Sequence, residues 1–279
     1  MSQIRLGPVT RHGPFPGRLE PDRIAAYAAA TGDETAAVLA GKAVPPMYPV
    51  VLAFGAQQAA NADVPAAAWR QARGGLHGEH DIVLHRPLVP DEPLDTWSSV
   101  SAVRSTRAGT QVVLHIEQFD GQGGLAVEQW WTTMLLGLQA IADAGSMPAD
   151  HRFPDSARSN PIGSATHNIS EHVAHDYATV SDDWSAHHFD IGAARASGFD
   201  FLFAHGLCTM AICAHRVLRV VGVDDPGQVR RVAVRFASPT PLGAELTVNV
   251  YGVTRKSFAF EASCAGVTTI SHGRMELRG

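Results

Sequence analysis

Asp183 and His188 stand five residues apart in the polar stretch Ser181-Asp182-Asp183-Trp184-Ser185-Ala186-His187-His188-Phe189-Asp190. A carboxylate beside an imidazole can hold a water molecule and move its protons: the neutral ring accepts one, and the carboxylate orients the water or returns a proton. Five residues is too long a step for one helical face, so the pair needs a tight irregular turn to meet. The same residues also suit a turn cap and a satisfied histidine, and spacing alone leaves both readings open.

The following segment supplies a second chemical feature. Leu207 to Val221 is apolar almost all round, the pattern of a helix covered by protein on most sides. Its first turn opens at His205-Gly206. Free N–H groups at a helix start, backed by the positive end of the dipole, suit a developing oxyanion, and a glycine there lets a ligand carbonyl approach closely. The enolate of a thioester is one such oxyanion.

The run Tyr177-x3-Ser181-x-Asp183-x4-His188-x-Asp190, then Ala193 to Phe199, then His205-Gly206, resembles the MaoC-like dehydratases, the R-specific enoyl-CoA hydratases of the hotdog fold. The family pattern is close to Y-x3-[ST]-G-D-x-N-P-[LIV]-H-x-D, followed by H-G. The resemblance implies hydration of a trans-2-enoyl thioester to an R-3-hydroxyacyl thioester, or the reverse dehydration, as in fatty acid metabolism. By matching position Asp183 and His188 are the catalytic pair, and the Gly206 N–H is the donor to the thioester carbonyl. Four positions depart from the pattern: Asp182 replaces Gly, Ser185 replaces Asn, Ala186 replaces Pro and His187 replaces an aliphatic residue. Ser185 keeps a hydroxyl without the donor and acceptor of an amide. A second carboxylate at Asp182 would raise the pKa of Asp183 if the two faced each other.

The elements that must position these groups occur twice. Tyr27-x3-Thr31-Gly32-Asp33 matches Tyr177-x3-Ser181-Asp182-Asp183 at an offset of 150 residues, each after a helical candidate, 21–30 and 171–180. Pro-rich turns at 86–94 and 236–246 correspond as well. The halves are not equivalent: Val38 stands where a partner histidine would be, and Asp33 to Tyr48 spans 15 residues against 22 from Asp183 to His205. The resemblance implies that such shortening leaves room for a long acyl tail beside an inactive half. A core helix is expected at 50–60. Strands are expected at 79–86, 94–103, 111–119 and 125–136, and again at 166–170, 229–237, 245–254, 257–265 and 268–277, with a small helix at 191–197. The glycines of Asp120-Gly-Gln-Gly-Gly124 read as a hairpin turn.

The expected architecture is α+β: a double hotdog in which each half wraps an antiparallel sheet around a long buried helix. Residues 1–137 form the half without the dyad, 138–165 the linker and 166–279 the half with the site. Trp184, Ser185 and His205 are candidate substrate contacts. Arg231 and Arg235 share one face of a strand by alternation and are candidates for the phosphates of coenzyme A, although a solvated strand face explains them equally.

A net charge of -5 over 279 residues gives no basic footprint for nucleic acid. The first seven residues lack the apolar stretch of a signal peptide, and no apolar run is long enough for a membrane. Cys208, Cys213 and Cys264 make an odd count and read as reduced core residues of a cytoplasmic protein. His187-His188-x-Asp190 suggests metal ligands on paper, but neighbours ligate one ion poorly and no H-E-x-x-H or C-x-x-C is present; no metal or other cofactor is expected. The partner is an acyl-CoA or acyl carrier protein thioester, and a homodimer is an open possibility. Alternatives are a branched or dicarboxylic (mesaconyl-type) acyl-CoA hydratase, a hotdog thioesterase, and a non-catalytic acyl-thioester binder.

Overall fold

The computed structural model describes residues 9–140 and 142–279. The segment read for a signal peptide, residues 1–7, and Ile141 of the expected linker lie outside the described residues. In chain order the strands are β1 (His12–Arg18), β2 (Gly75–Leu84), β3 (Pro93–Ser105), β4 (Gly109–Asp120), β5 (Leu125–Leu136), β6 (Ala144–Gly145), β7 (Pro161–Asn168), β8 (Phe203–Ala204), β9 (Val229–Phe236), β10 (Thr240–Pro241), β11 (Glu245–Thr254), β12 (Ser257–Cys264) and β13 (Val267–Leu277). The helices are α1 (Pro21–Thr31), α2 (Ala36–Leu39), α3 (Phe54–Asn61), α4 (Ala66–Gln71), α5 (Val173–Ser181), α6 (Ile191–Ala196) and α7 (Gly206–Val221).

The large sheet runs β1-β3-β4-β5-β2-β9-β13-β12-β11-β7. Read outward from the middle, 2-5-4-3-1 on one side corresponds to 9-13-12-11-7 on the other, so the two halves are copies joined edge to edge. The joint is the antiparallel pair β2 and β9, in register from Glu79 opposite Arg235 to Val83 opposite Arg231. His80, Asp81, Ile82, Val232, Ala233 and Val234 are all buried along it. Pairing removes an exposed edge from each half and turns two sheets into one continuous layer. This is the double hotdog. The connection between the halves is shorter than the expected linker, because β7 begins at Pro161 inside the segment 138–165 and pairs with β11.

Each half encloses a helix. In the second half α7 buries every residue from Leu207 to Leu218 and ends at Gly222, whose left-handed backbone (φ 72) returns N–H groups to Leu218 and Arg219. The first-half counterpart differs from the expected helix over 50–60. Tyr48–Leu52 is a tight 3-10 turn, closed by Ala53 N–H to Val50 O (3.1 Å), and only then does α3 start. Pro49 in that turn has no N–H to give to a longer α-helix ladder. The core of this half is therefore shorter than that of the other.

The helices α1 and α5 pack against one another across the joint, with Tyr27 and Tyr177 rings 5.8 Å apart. Both end on a left-handed residue of the same φ, Gly32 (62) and Asp182 (62). Among the described residues no helix is long and apolar enough to cross a membrane.

Candidate active site

The turn after α5 brings the expected pair together. Asp183 Oδ1 accepts the Ser185 N–H (3.1 Å) and the Ser185 hydroxyl (2.5 Å), which closes the chain around the carboxylate and leaves Oδ2 outside this clamp. A short 3-10 turn, Ala186–His188, then swings His188 inward, where it is buried. The His188 Nδ1–H donates to Phe203 O at 3.0 Å. A carbonyl only accepts, so the proton is on Nδ1 and the Nε2 lone pair faces the site.

His205 closes the arrangement from the other side. Its Nε2–H donates to Asp183 O (2.9 Å), its ring centroid lies 3.7 Å from that of His188, and its Nδ1 is buried without a partner among the described residues. Ligand-type atoms of Asp183, His188 and His205 all lie within 4.8 Å of one another. Burial pushes the His188 pKa down to about 2, and the neighbouring His205 and His187 rings push the same way. His205 is also shifted down by burial, against the opposing pull of Asp183. The His188 ring is therefore a neutral proton acceptor across the ordinary pH range.

Gly206 is the first residue of α7, so its N–H has no carbonyl one turn earlier to bond. A Cβ built on it would meet the Phe236 ring at 3.1 Å, so the position admits glycine without movement of that ring. The departures from the family pattern have local reasons. Asp182 holds the left-handed cap, a conformation open to Asp as well as Gly. Its carboxylate turns away from Asp183 and pairs with Arg23 of the first half at 2.8 Å. Ser185 clamps Asp183 directly in place of an amide.

These groups line one end of a cavity of about 660 Å³ that continues into the first half past Phe54, Gln57, Asn61, His77 and Trp131. The cavity runs beside the shortened helix. The remaining expected contacts divide. Ser185, His205 and Arg235 line the cavity. Trp184 does not: it is 55% exposed and packs on Phe189 (5.4 Å between centroids) and His175 on the outside of the turn. Arg231 is unavailable to a phosphate. It is buried, with Nη2 donating to Asp81 Oδ2 (2.6 Å) and to Ala149 O (2.7 Å). Alternation put Arg231 and Arg235 on one face correctly, but it does not show that residues 149–153 cover one end of that face. The first-half cavity residues escaped sequence reasoning because they lie far from the turn in the chain, from Phe54 to Trp131 against Asp183; the shortened spacing in that half was their only signal.

An Asp/His pair stands at the head of a buried helix and opens into a cavity shared with a dyad-free half of a double hotdog. Comparison with known proteins agrees: residues 154–273 match the MaoC like domain, and the chain carries that domain in its second half. The chain is 29% identical over 212 residues to peroxisomal multifunctional enzyme type 2 of Drosophila melanogaster, covering 73% of this chain and 34% of that protein. It is 29% identical over 228 residues to 3-hydroxyacyl-thioester dehydratase X of Mycobacterium tuberculosis, covering 81% and 74%. Thus it spans about a third of the length of the first relative. The solved MaoC-like dehydratase from Phytophthora capsici superposes with a TM-score of 0.85 at 21% identity, covering 97% of this chain and 95% of that one. A Mycobacterium tuberculosis protein with a double hotdog fold superposes at 0.63 and 14% identity over 98% and 96%.

Proposed function

We propose that the protein is a lyase that adds water across the double bond of trans-2-enoyl thioesters, giving R-3-hydroxyacyl thioesters, or runs the reverse dehydration. The observation that carries this reading is the convergence of the Asp183 carboxylate and the His188 Nε2 lone pair at the N-terminus of α7, inside a cavity large enough for an acyl chain. The names of the relatives, enoyl-CoA hydratase 2 from Arabidopsis thaliana and 3-hydroxyacyl-thioester dehydratase X among them, point the same way.

In the hydration direction the water sits between Asp183 and His188. Its oxygen bonds C3 as His188 Nε2 takes a proton, and the C2–C3 π pair moves into the thioester to form an enolate. The Gly206 N–H donates to the enolate oxygen, and a proton from the Asp183/His188 pair goes to C2, so that one water is added in all. Burial keeps the His188 ring neutral, so its Nε2 lone pair is free to accept the proton. Removing such a base typically lowers the rate by about 10² to 10⁴.

The carrier is coenzyme A or an acyl carrier protein, and the reaction belongs to a reducing compartment such as the cytoplasm. All three cysteines are free and buried, with thiols pushed up by burial and held in the protonated form. The test is loss of the conjugated enoyl absorbance with purified protein over a series of trans-2-enoyl-CoA lengths, with free thiol followed in parallel. Absorbance loss without thiol release is expected, and Asp183→Asn and His188→Ala should abolish it while remaining folded. Thiol release at the same rate would make the protein a thioesterase instead.

A further inference from the structure

The first-half arm of the cavity is more polar than an alkyl chain requires. One of its walls comes from α3, where Phe54, Gln57 and Asn61 recur at helical spacing and turn one face to the cavity. The other comes from the sheet, where His77 on β2 and Thr133 on β5 stand opposite one another in register and so share a face. The His77 ring stacks on Trp131, with 4.0 Å between centroids, and burial holds it neutral.

Two of these groups are buried and unanswered. Gln57 is 7% exposed and Thr133 6%, and both line the cavity. Among the described residues neither the Gln57 amide nor the Thr133 hydroxyl has a hydrogen-bond partner, and Asn61 Oδ1 is likewise buried without one. Other buried amides of the same half donate within the protein: Gln118 Nε2 and Gln129 Nε2 both reach Pro49 O, at 3.1 and 3.3 Å. A saturated tail filling the arm would strip water from Gln57 and Thr133 and leave them unpaired, which weakens binding. A hydroxyl on the tail would answer them, since an amide and a hydroxyl can each give and take a hydrogen bond. A carboxylate is a poorer match. Among the described residues Arg235 is the one arginine or lysine lining the cavity, and it stands on β9 of the second half, 3.8 Å from Glu79.

We propose that the first-half arm selects acyl groups that carry a neutral hydroxyl beyond C3, and that Gln57 and Thr133 bind it. The proposal rests on the thioester reading above and names the substrate class of that site. Both residues set specificity and take no part in proton transfer.

Calorimetric binding of saturated probes tests this without turnover. The probes are decanoyl-CoA, its 6-, 8- and 10-hydroxy derivatives, and decanedioyl-CoA, which ends in a carboxylate. The wild type should bind at least one hydroxy probe about tenfold more tightly than decanoyl-CoA, the effect of one well-placed hydrogen bond. Gln57→Leu and Thr133→Val remove the polar groups with little change of shape. Each should reduce that preference, and Gln57→Leu should also tighten decanoyl-CoA, a reversal that general loosening of the fold does not produce. The two substitutions lie on different elements, so either one, if folded, decides. A wild type with no preference for any hydroxy probe over decanoyl-CoA overturns the proposal, as does a preference for decanedioyl-CoA over all the others. So does an unchanged preference in a folded variant. Equal loss on every probe would place the shared coenzyme arm against these residues and overturns it too. Failure of the hydratase reading shows elsewhere, as no loss of enoyl absorbance in the wild type.

Discussion

The two halves of this protein hold one turn in two versions. In the second half Asp183 follows a left-handed cap and accepts the N–H of Ser185 at 3.1 Å; in the first, Asp33 follows a left-handed cap and accepts the N–H of Thr35 at 3.0 Å. Up to this point the backbones are equivalent. The chemistry then diverges at two positions. Val38 stands five residues after Asp33 where His188 follows Asp183, and Tyr48-Pro49 opens the first-half core turn where His205-Gly206 opens α7. A proline has no N–H to offer an enolate. On the proposed mechanism the first half thus lacks both the base and the oxyanion donor, and its shorter helix lines the cavity. A repeat can keep its fold and exchange a reaction centre for a binding wall.

The largest expected effect comes from the pair itself. His188→Ala should lower kcat for enoyl hydration by about 10² to 10⁴, and Asp183→Asn by a similar factor. The equivalent change in the other half, Asp33→Asn, should leave kcat within threefold of the wild type. Equal losses from Asp33→Asn and Asp183→Asn, in variants with unchanged thermal stability, would abolish the distinction between the halves.

Next comes the oxyanion donor. Gly206→Ala places a methyl group 3.1 Å from the Phe236 ring, so the ring or the helix start must move. Disturbing one such donor lowers kcat by about 10² to 10³. The readout is kcat against KM: loss confined to kcat assigns Gly206 to the transition state, and a rise in KM alone would make it a packing residue.

The joint between the halves can be broken separately. Asp81→Ala leaves Arg231 buried with its main partner gone, which costs about 3 to 5 kcal/mol in comparable buried pairs. A fall in Tm of many degrees is expected, with kcat of the folded fraction retained. A drop below 1 kcal/mol would mean that Glu276, 3.5 Å from Arg231, or water compensates.

Acid should act on both halves together. His80, buried at the joint, has its pKa pushed by burial to about 3, His188 is near 2 and His215 near 4. Each binds its proton in the unfolded chain near the ordinary histidine value and much later in the folded one. Their contribution is therefore fully present above about pH 6.5 and declines as pH falls toward the folded values, by about 1.4 kcal/mol per pH unit for each ring. His151 has the opposite sign: the nearby Glu79 helps raise its pKa, so its contribution is complete below the unfolded value and fades as pH rises. With His77, His167, His187, His205 and His272 also shifted down and His151 alone shifted up, the balance predicts a Tm that falls steadily between pH 7 and pH 5. A flat profile would show that these rings are hydrated in solution.

Much of this was legible in the sequence because the site is local. Asp183, Ser185 and His188 lie within six residues, and Gly206 opens the next long helix, so one pattern covers all of them. The joint was not legible. Periodicity tells which residues share a strand face, but only the fold shows that the segment carrying Ala149 lies over Arg231. Strand β1 escaped because Gly13, Pro14, Pro16 and Gly17 read as a loop; it pairs only with β3 at the sheet edge, where proline is tolerated. Trp184 looked like a contact by its place in the motif. In a tight turn alternate side chains leave on opposite sides, and Ser185 took the inner one.

The smallest expected effect is the sharpest statement of the comparison. If the first half is inactive for want of a base alone, Val38→His in a His188→Ala background should restore some turnover. If the missing N–H at Pro49 matters equally, it should restore none, since the enolate would form without a donor. The structure favours the second outcome. Val38 is fully buried on the four-residue helix α2, apart from the cavity lining, so a new imidazole there would neither reach the acyl chain nor meet an oxyanion donor. Turnover in the double variant above that of His188→Ala would show that Asp33 lies open to substrate, contrary to its burial.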